Sequence, residues 1–174
     1  MTMGRRIAAT IAGVVALTLG TVGSAAGSAG TAATEGATLG PEGYKTLRLG
    51  QSEREAEATG LVRDRQTGDP CHVYNLAAGE GQRNVDSGVF VDPVKGVVMI
   101  GGTVRSHTPE GVTLGSRLER VRAAYPSLRQ VPPMEWVYEA PVPGNPAAAY
   151  RFAVDERDRV ADFALEARDM GACG

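Results

Sequence analysis

The sequence is poor in the residues that most often carry chemistry. Its 174 residues include two histidines, two cysteines and one tryptophan. No HExxH or CxxC spacing accompanies His72 or His107, so no metal site is expected. Gly101-Gly102 is not part of a GxxxxGK[ST] phosphate loop, and no GxSxG nucleophile elbow occurs. No motif implies a cofactor. Asp86-Ser87-Gly88 has the form of an aspartic-protease triplet. Arg83 and Asn84 stand where such a site needs an apolar strand, however, and the triplet occurs once, so it is read as a turn. A surplus of one charge is also lacking. Eighteen Lys and Arg stand against twenty Asp and Glu, a net charge of -2, which excludes nucleic-acid binding by bulk basic charge.

The start of the chain reads as an address. Arg5 and Arg6 precede an uncharged stretch over residues 7–22, followed by the small residues Ser24, Ala25, Ala26, Gly27, Ser28 and Ala29. A basic start, an apolar middle and a small-residue exit describe a secretory signal peptide, here residues 1–33 with cleavage between 26 and 33. The apolar stretch is shorter than the ~20 residues a membrane span needs. Ala8 and Ala9 stand where a twin-arginine signal has bulky residues. No cysteine lies near the exit, so a bacterial lipoprotein anchor is excluded. The mature chain is expected to be secreted or on the exterior of the cell envelope, with no stable membrane span and no nucleic-acid partner. Its net charge is -4, since residues 1–33 remove two arginines and no acid.

In that compartment an even cysteine count favours a bridge, here Cys71–Cys173. It closes about 100 residues, worth ~4.7 kcal/mol in the chain-entropy model. The alternative, a nucleophilic Cys71 beside His72, has poor geometry, because neighbours on a strand point to opposite faces.

Along the mature chain, residues 34–43 are small and polar and read as a flexible leading segment. Residues 44–174 form one α+β domain, with short helices packed on an antiparallel sheet. Strands are expected over residues 44–49, 71–77, 85–91, 97–104, 135–140, 148–155 and 159–167. Val97-Val98-Met99-Ile100 is continuous rather than alternating, which marks a central strand covered on both faces. Residues 63–70 read as a charged loop. Ser52 with Glu55, and Ser116 with Glu119, form two capping boxes that start helices. Leu118, Val121, Tyr125 and Leu128 make the apolar stripe of the second helix, which Pro126 ends.

A faint repeat links Leu47-Arg48-Leu49-Gly50-Gln51-Ser52 to Val112-Thr113-Leu114-Gly115-Ser116-Arg117. Each is a short apolar strand, a Leu-Gly and a Ser-started helix. Aligning the glycines places Ala56 on Val121 and Ala58 on Ala123, with the serines one residue out of register. Either two imperfect strand–helix–sheet repeats or chance recurrence of a common local solution produces this. The same residues resemble the Gly-Met-Thr helix starts of two families, the β-lactamase inhibitory protein and the outer-membrane lipoprotein BamE. The resemblance implies helices on a short antiparallel sheet, twice over in the inhibitor, and a binding role. Gln51-Ser52 and Ser116-Arg117 replace the Met-Thr, and the lipid-bearing cysteine of BamE has no counterpart. The mature chain also looks like uncharacterised exported proteins of actinobacteria.

Of nine aromatic residues, five are Trp136, Tyr138, Tyr150, Phe152 and Phe163. Strand alternation puts Trp136 with Tyr138, and Tyr150 with Phe152, on single faces, while Glu135, Glu139, Arg151, Asp162 and Glu166 face the other way. Such a face packs under the second helix, or it forms a platform for a protein partner, with Trp136 and Tyr138 the candidates to remain exposed. The stiff loop Pro141-Val142-Pro143-Gly144-Asn145-Pro146 is either a protease-resistant connector or an insertion for a partner's cleft. The residues assigned to binding are therefore Trp136, Tyr138, Pro143, Gly144, Asn145 and Pro146. The function expected is non-catalytic binding of another extracytoplasmic protein, with inhibition as one form. Envelope assembly is the alternative. A hydrolase is a further one, and it would need a pocket that gathers Asp86, His107 or other polar groups.

Overall fold

The structure is a computed structural model that describes residues 36–66, 68–83 and 87–174. The expected signal peptide and Asp86 lie outside the described residues. In chain order the elements are β1 (Ala37–Gly40), β2 (Gly43–Tyr44), β3 (Leu47–Arg48), α1 (Glu53–Ala58), β4 (Val62–Gln66), β5 (His72–Leu76), β6 (Val89–Asp92), β7 (Gly96–Gly101), β8 (Ser106–His107), α2 (Leu118–Ala124), β9 (Arg129–Val131), β10 (Met134–Val142), β11 (Asn145–Val154) and β12 (Val160–Ala167). Eight strands form one antiparallel sheet in the order β4-β5-β6-β7-β12-β11-β10-β9. A small sheet, β3-β2-β1-β8, carries the one parallel pairing among the described residues, between β1 and β8.

This arrangement corrects the α+β expectation. Among the described residues the chain is mainly β, built around the eight-stranded antiparallel sheet and a four-stranded mixed one, and the two α-helices there have six and seven residues. Capping boxes and apolar stripes announce helices strongly, whereas short strands in hairpins leave little pattern. Residues 63–70 overlap β4, whose exposed Arg63, Asp64 and Arg65 are the charges of an edge strand rather than of a loop. The stretch read as a flexible leading segment contains β1. The Ser52–Glu55 capping box is present, with Glu55 Oε2 accepting from the Ser52 amide at 2.8 Å. The second box is absent, because the Ser116 hydroxyl accepts from the Thr113 amide at 3.0 Å and Arg117 takes the N-cap position.

One face of the large sheet meets both helices and the small sheet. Leu118, Val121 and Tyr125 of the second helix segment are buried there against Tyr150, Phe152 and Phe163. The Tyr125 ring centroid lies 5.5 Å from those of both Tyr150 and Phe152, and Phe152 stacks on Phe163 at 6.4 Å. The Tyr150 hydroxyl donates to the Leu39 carbonyl at 2.9 Å and so ties the two sheets together. All six residues of β7 are buried, as their continuous apolar run requires of a central strand.

The two halves of the large sheet are built alike. Each is a short helix followed by a four-stranded meander, α1 with β4–β7 and α2 with β9–β12. Val89 faces Ile100, Phe90 faces Met99 and Val91 faces Val97, with a register shift between Phe90 and Val91. Phe152 faces Phe163, Ala153 faces Asp162 and Val154 faces Val160, with the shift between Ala153 and Val154. Ahead of each helix a glycine at φ 79° docks on the last strand of its meander. The Gly50 amide donates to Val97 O at 2.8 Å and Val97 N to Gln51 O at 2.7 Å; the Gly115 amide donates to Val160 O at 2.8 Å and Val160 N to Ser116 O at 2.9 Å. Both glycines have open space around them, so the left-handed backbone alone selects glycine there.

Cys71 and Cys173 form a disulfide across a sequence separation of 102 residues. Replacing both by serine should lower the unfolding free energy by about 2–5 kcal/mol. Urea titrations of the variant and the oxidised parent measure this, and equal midpoints would show that the bridge does not hold the fold.

Candidate functional site

The aromatic row explains where a binding site can form. Tyr138 faces Phe152, which faces Phe163, so three strands contribute one buried ring each. Trp136 precedes Tyr138 by two residues on β10, so it lies on the same face, one step along the strand from the row. Nothing extends the row that far. The β11–β12 turn begins beside it, and β9 skips it, pairing with β10 at Met134 and then at Tyr138. Trp136 is therefore 57% exposed, beside a partner residue at 8%.

An open groove of about 710 Å³ lies at this end of the sheet. Glu135, Trp136 and Tyr138 line one side, and Val154, Asp155, Glu156, Arg157 and Asp158 the other. Four carboxylates and one guanidinium give it a negative balance. Asp155 shapes the turn, its Oδ1 accepting from the amides of Arg157 and Arg159 at 2.9 Å each. Those backbone hydrogen bonds hold its carboxyl below the usual carboxylate range. Arg122 of α2 lies over the Tyr138 ring, 5.2 Å from its centroid. The four residues of the β11–β12 turn are legible in the sequence as a turn. Their place in a site appears only once the turn is seen beside Trp136.

The structure does not bring the other assigned residues to this groove. β10 runs to Val142 and β11 starts at Asn145, so Pro143 and Gly144 form a two-residue turn rather than a long loop. Gly144 has φ 83°, as the residue after proline needs in a type II turn. The Asn145 side-chain amide donates to Pro41 O at 2.8 Å and ties the turn to the segment between β1 and β2. Trp136 and this turn stand at opposite ends of β10, about 20 Å apart along the strand. Pro143, Gly144, Asn145 and Pro146 thus form a surface separate from Trp136 and Tyr138.

In the first half of the sheet the matching position is closed. Tyr74 faces Val89 as Tyr138 faces Phe152, so His72 stands where Trp136 does. The Tyr74 hydroxyl donates to Glu53 Oε1 at 2.6 Å and to Glu57 Oε1 at 2.7 Å. His72 Nδ1 lies 2.9 Å from Glu53 Oε1, and Arg65 Nε lies 3.0 Å from the same oxygen. Desolvation and the two carboxylates push the Tyr74 phenol well above its ordinary value, so it remains a donor. Both ring nitrogens of His107 lie against carbonyls, Thr108 O at 2.9 Å and Gly36 O at 3.2 Å.

The far face of the sheet carries a half-buried charge cluster. Glu139 on β10, Arg151 on β11, and Asp162 and Glu166 on β12 stand together, with Arg151 Nη1 3.7 Å from Glu166 Oε1 and Ser87 donating to Asp162 at 2.7 Å. Desolvation pushes the Glu166 carboxyl up to about 7. Arg151 opposes that shift, while Glu139 and Asp162 reinforce it.

No protein-family model matches the chain, and no curated protein does. Among solved structures the chain is similar to the uncharacterized protein yfeY from Escherichia coli, with a TM-score of 0.50 and 13% identity. The match covers 75% of this chain and 99% of that one. The likeness is one of fold.

Glu166 generates a pH test. The folded chain keeps this proton up to about pH 7, whereas an unfolded glutamate releases it near its ordinary value of 4.5. Between these values unfolding releases a proton, so this group lowers stability as pH rises. Glu166→Gln should therefore gain stability over the parent by up to about 3 kcal/mol between pH 4.5 and 7.5. Denaturant titrations across that range check it, and a constant difference would contradict it.

Proposed function

We propose that the chain is an extracytoplasmic, non-catalytic binding protein that docks another protein through the Trp136 groove. One observation carries this. Trp136 stands exposed at an open groove, two residues along β10 from a buried aromatic row, and tryptophan is among the residues that most often anchor protein interfaces. The matching position of the first half is instead a histidine, His72, paired with Glu53.

The compartment has its own support. The chain contains a disulfide, and among the described residues no helix is long and apolar enough to cross a membrane. Both are compatible with a protein outside the cytoplasmic membrane. Export by a cleaved signal peptide over residues 1–33 belongs to the same proposal. A docked partner that is itself an enzyme would make the chain an inhibitor. The resemblance to the β-lactamase inhibitory protein favours that form.

Trp136→Ala tests the proposal. The mature oxidised protein and the variant are immobilised and offered supernatant and envelope extract of the host. The variant should retain at least tenfold less of the partner held stoichiometrically by the parent. Its melting temperature should be unchanged, because an exposed side chain away from the core contributes within about 0.5 kcal/mol. Equal retention by both proteins would refute the groove as the docking site. Unfolding of the variant would show that Trp136 is a core residue.

A further inference from the structure

We propose, building on that binding role, that the groove takes a short peptide segment bearing a lysine or arginine, seated as the chain's own C-terminal tail is seated in the first half of the sheet. The tail ends in a short 3-10 turn, Gly171–Cys173, that lies against the turn after β6. Three contacts hold it. Asp92 Oδ2 accepts from the Ala172 amide at 2.7 Å, Lys95 pairs with Asp169, and Cys71 is bonded to Cys173.

The register of the two meanders transposes this seat onto the groove. Val91 faces Val97 as Val154 faces Val160, so Asp92 corresponds to Asp155 and Lys95 to Asp158. Val73 faces Phe90 as Val137 faces Ala153, so Cys71 corresponds to Glu135. The transposed seat is the Trp136 groove, with the β11–β12 turn on one side and the start of β10 on the other. Asp92 and Asp155 also work alike. Each spends Oδ1 on amides of its own turn, Val94 and Lys95 in one case and Arg157 and Arg159 in the other. In the first half Oδ2 holds the tail amide, whereas Asp155 Oδ2 accepts no hydrogen bond from the described residues.

The exchanged residues define the ligand. Lys95 binds an anion of the tail, and Asp158 in its place calls for a cation. Glu135 replaces the bonded cysteine, so the grip is non-covalent and adds a second negative charge. Trp136 replaces His72 and offers an indole face, the best of the aromatic surfaces for a lysine or arginine head. A peptide amide suits Asp155 Oδ2 as the Ala172 amide suits Asp92.

The test uses the mature oxidised protein, whose own tail stays bonded in the first half, and two acetylated synthetic peptides of residues 169–174, a stretch that carries no lysine or arginine of its own. Both carry Cys173→Ser, and one also carries Asp169→Lys. Trp136 is the chain's one tryptophan, so its emission reports the groove directly. The lysine peptide should shift the emission to the blue, saturably, and bind at least tenfold more tightly than the other. Asp158→Asn, a change that asparagine's tolerance of positive φ permits at φ 54°, should abolish the preference. Equal binding of the two peptides refutes the cationic ligand. No response to either peptide, with partner retention still dependent on Trp136, refutes the peptide seat and leaves the binding role standing. No response together with retention indifferent to Trp136→Ala refutes both.

Discussion

The fold depends on the pairing of β7 with β12, where the two meanders become one sheet. Gly101 faces Ala164, Ile100 faces Leu165, and the Gly102 amide donates to Phe163 O at 2.6 Å. By the register of the repeats Gly101 is the counterpart of Ala164, and Ile100 that of Phe163. The pairing is therefore symmetric about the Gly101–Ala164 position, a local two-fold between unlike halves. Close approach matters at this joint, since a side chain on Gly102 would fall on the Phe163 ring. Joined in this way, the two meanders each shed one edge, and their aromatic and aliphatic residues share one core.

From that joint outwards the halves diverge, and the divergence produces the site. The first half covers its sheet end with α1 carboxylates around Tyr74 and His72 and with a tail bonded through Cys71–Cys173. The second half has Leu118 and Arg122 at the helix positions that align with Glu53 and Glu57, and acids in the turn that aligns with residues 92–96. The same backbone thus presents a closed end and an open one. This asymmetry gives the exposure of Trp136 a meaning that a lone surface tryptophan would not have.

Several parts of this were legible in the sequence. The disulfide followed from two cysteines in a chain whose sequence leads to the expectation of export, the β10–β12 strands from alternation, and the aromatic face from its spacing. The central position of β7 followed from its unbroken apolar run. The sheet's extent was less visible, because β4 and β9 are short, charged edge strands that resemble loops in sequence. The second capping box failed for a tertiary reason: the backbone of Ser116 is held by Val160 before the helix begins. The repeat was faint because the halves conserve hydrogen-bond register rather than side chains, with Ala56 standing for Val121 and Val89 for Phe152. The groove was illegible for the same reason, since the β11–β12 turn and the start of β10 meet only across the folded hairpin.

The most direct measurement of the central claim is collisional quenching of the single tryptophan by caesium and by iodide at low ionic strength. An indole exposed in a groove with four carboxylates should emit at long wavelength and be quenched more steeply by caesium than by iodide. Added salt should erase the difference, because screening shortens the reach of those charges. Emission at short wavelength with protection from both ions, or steeper quenching by iodide, would contradict an open acidic groove at Trp136.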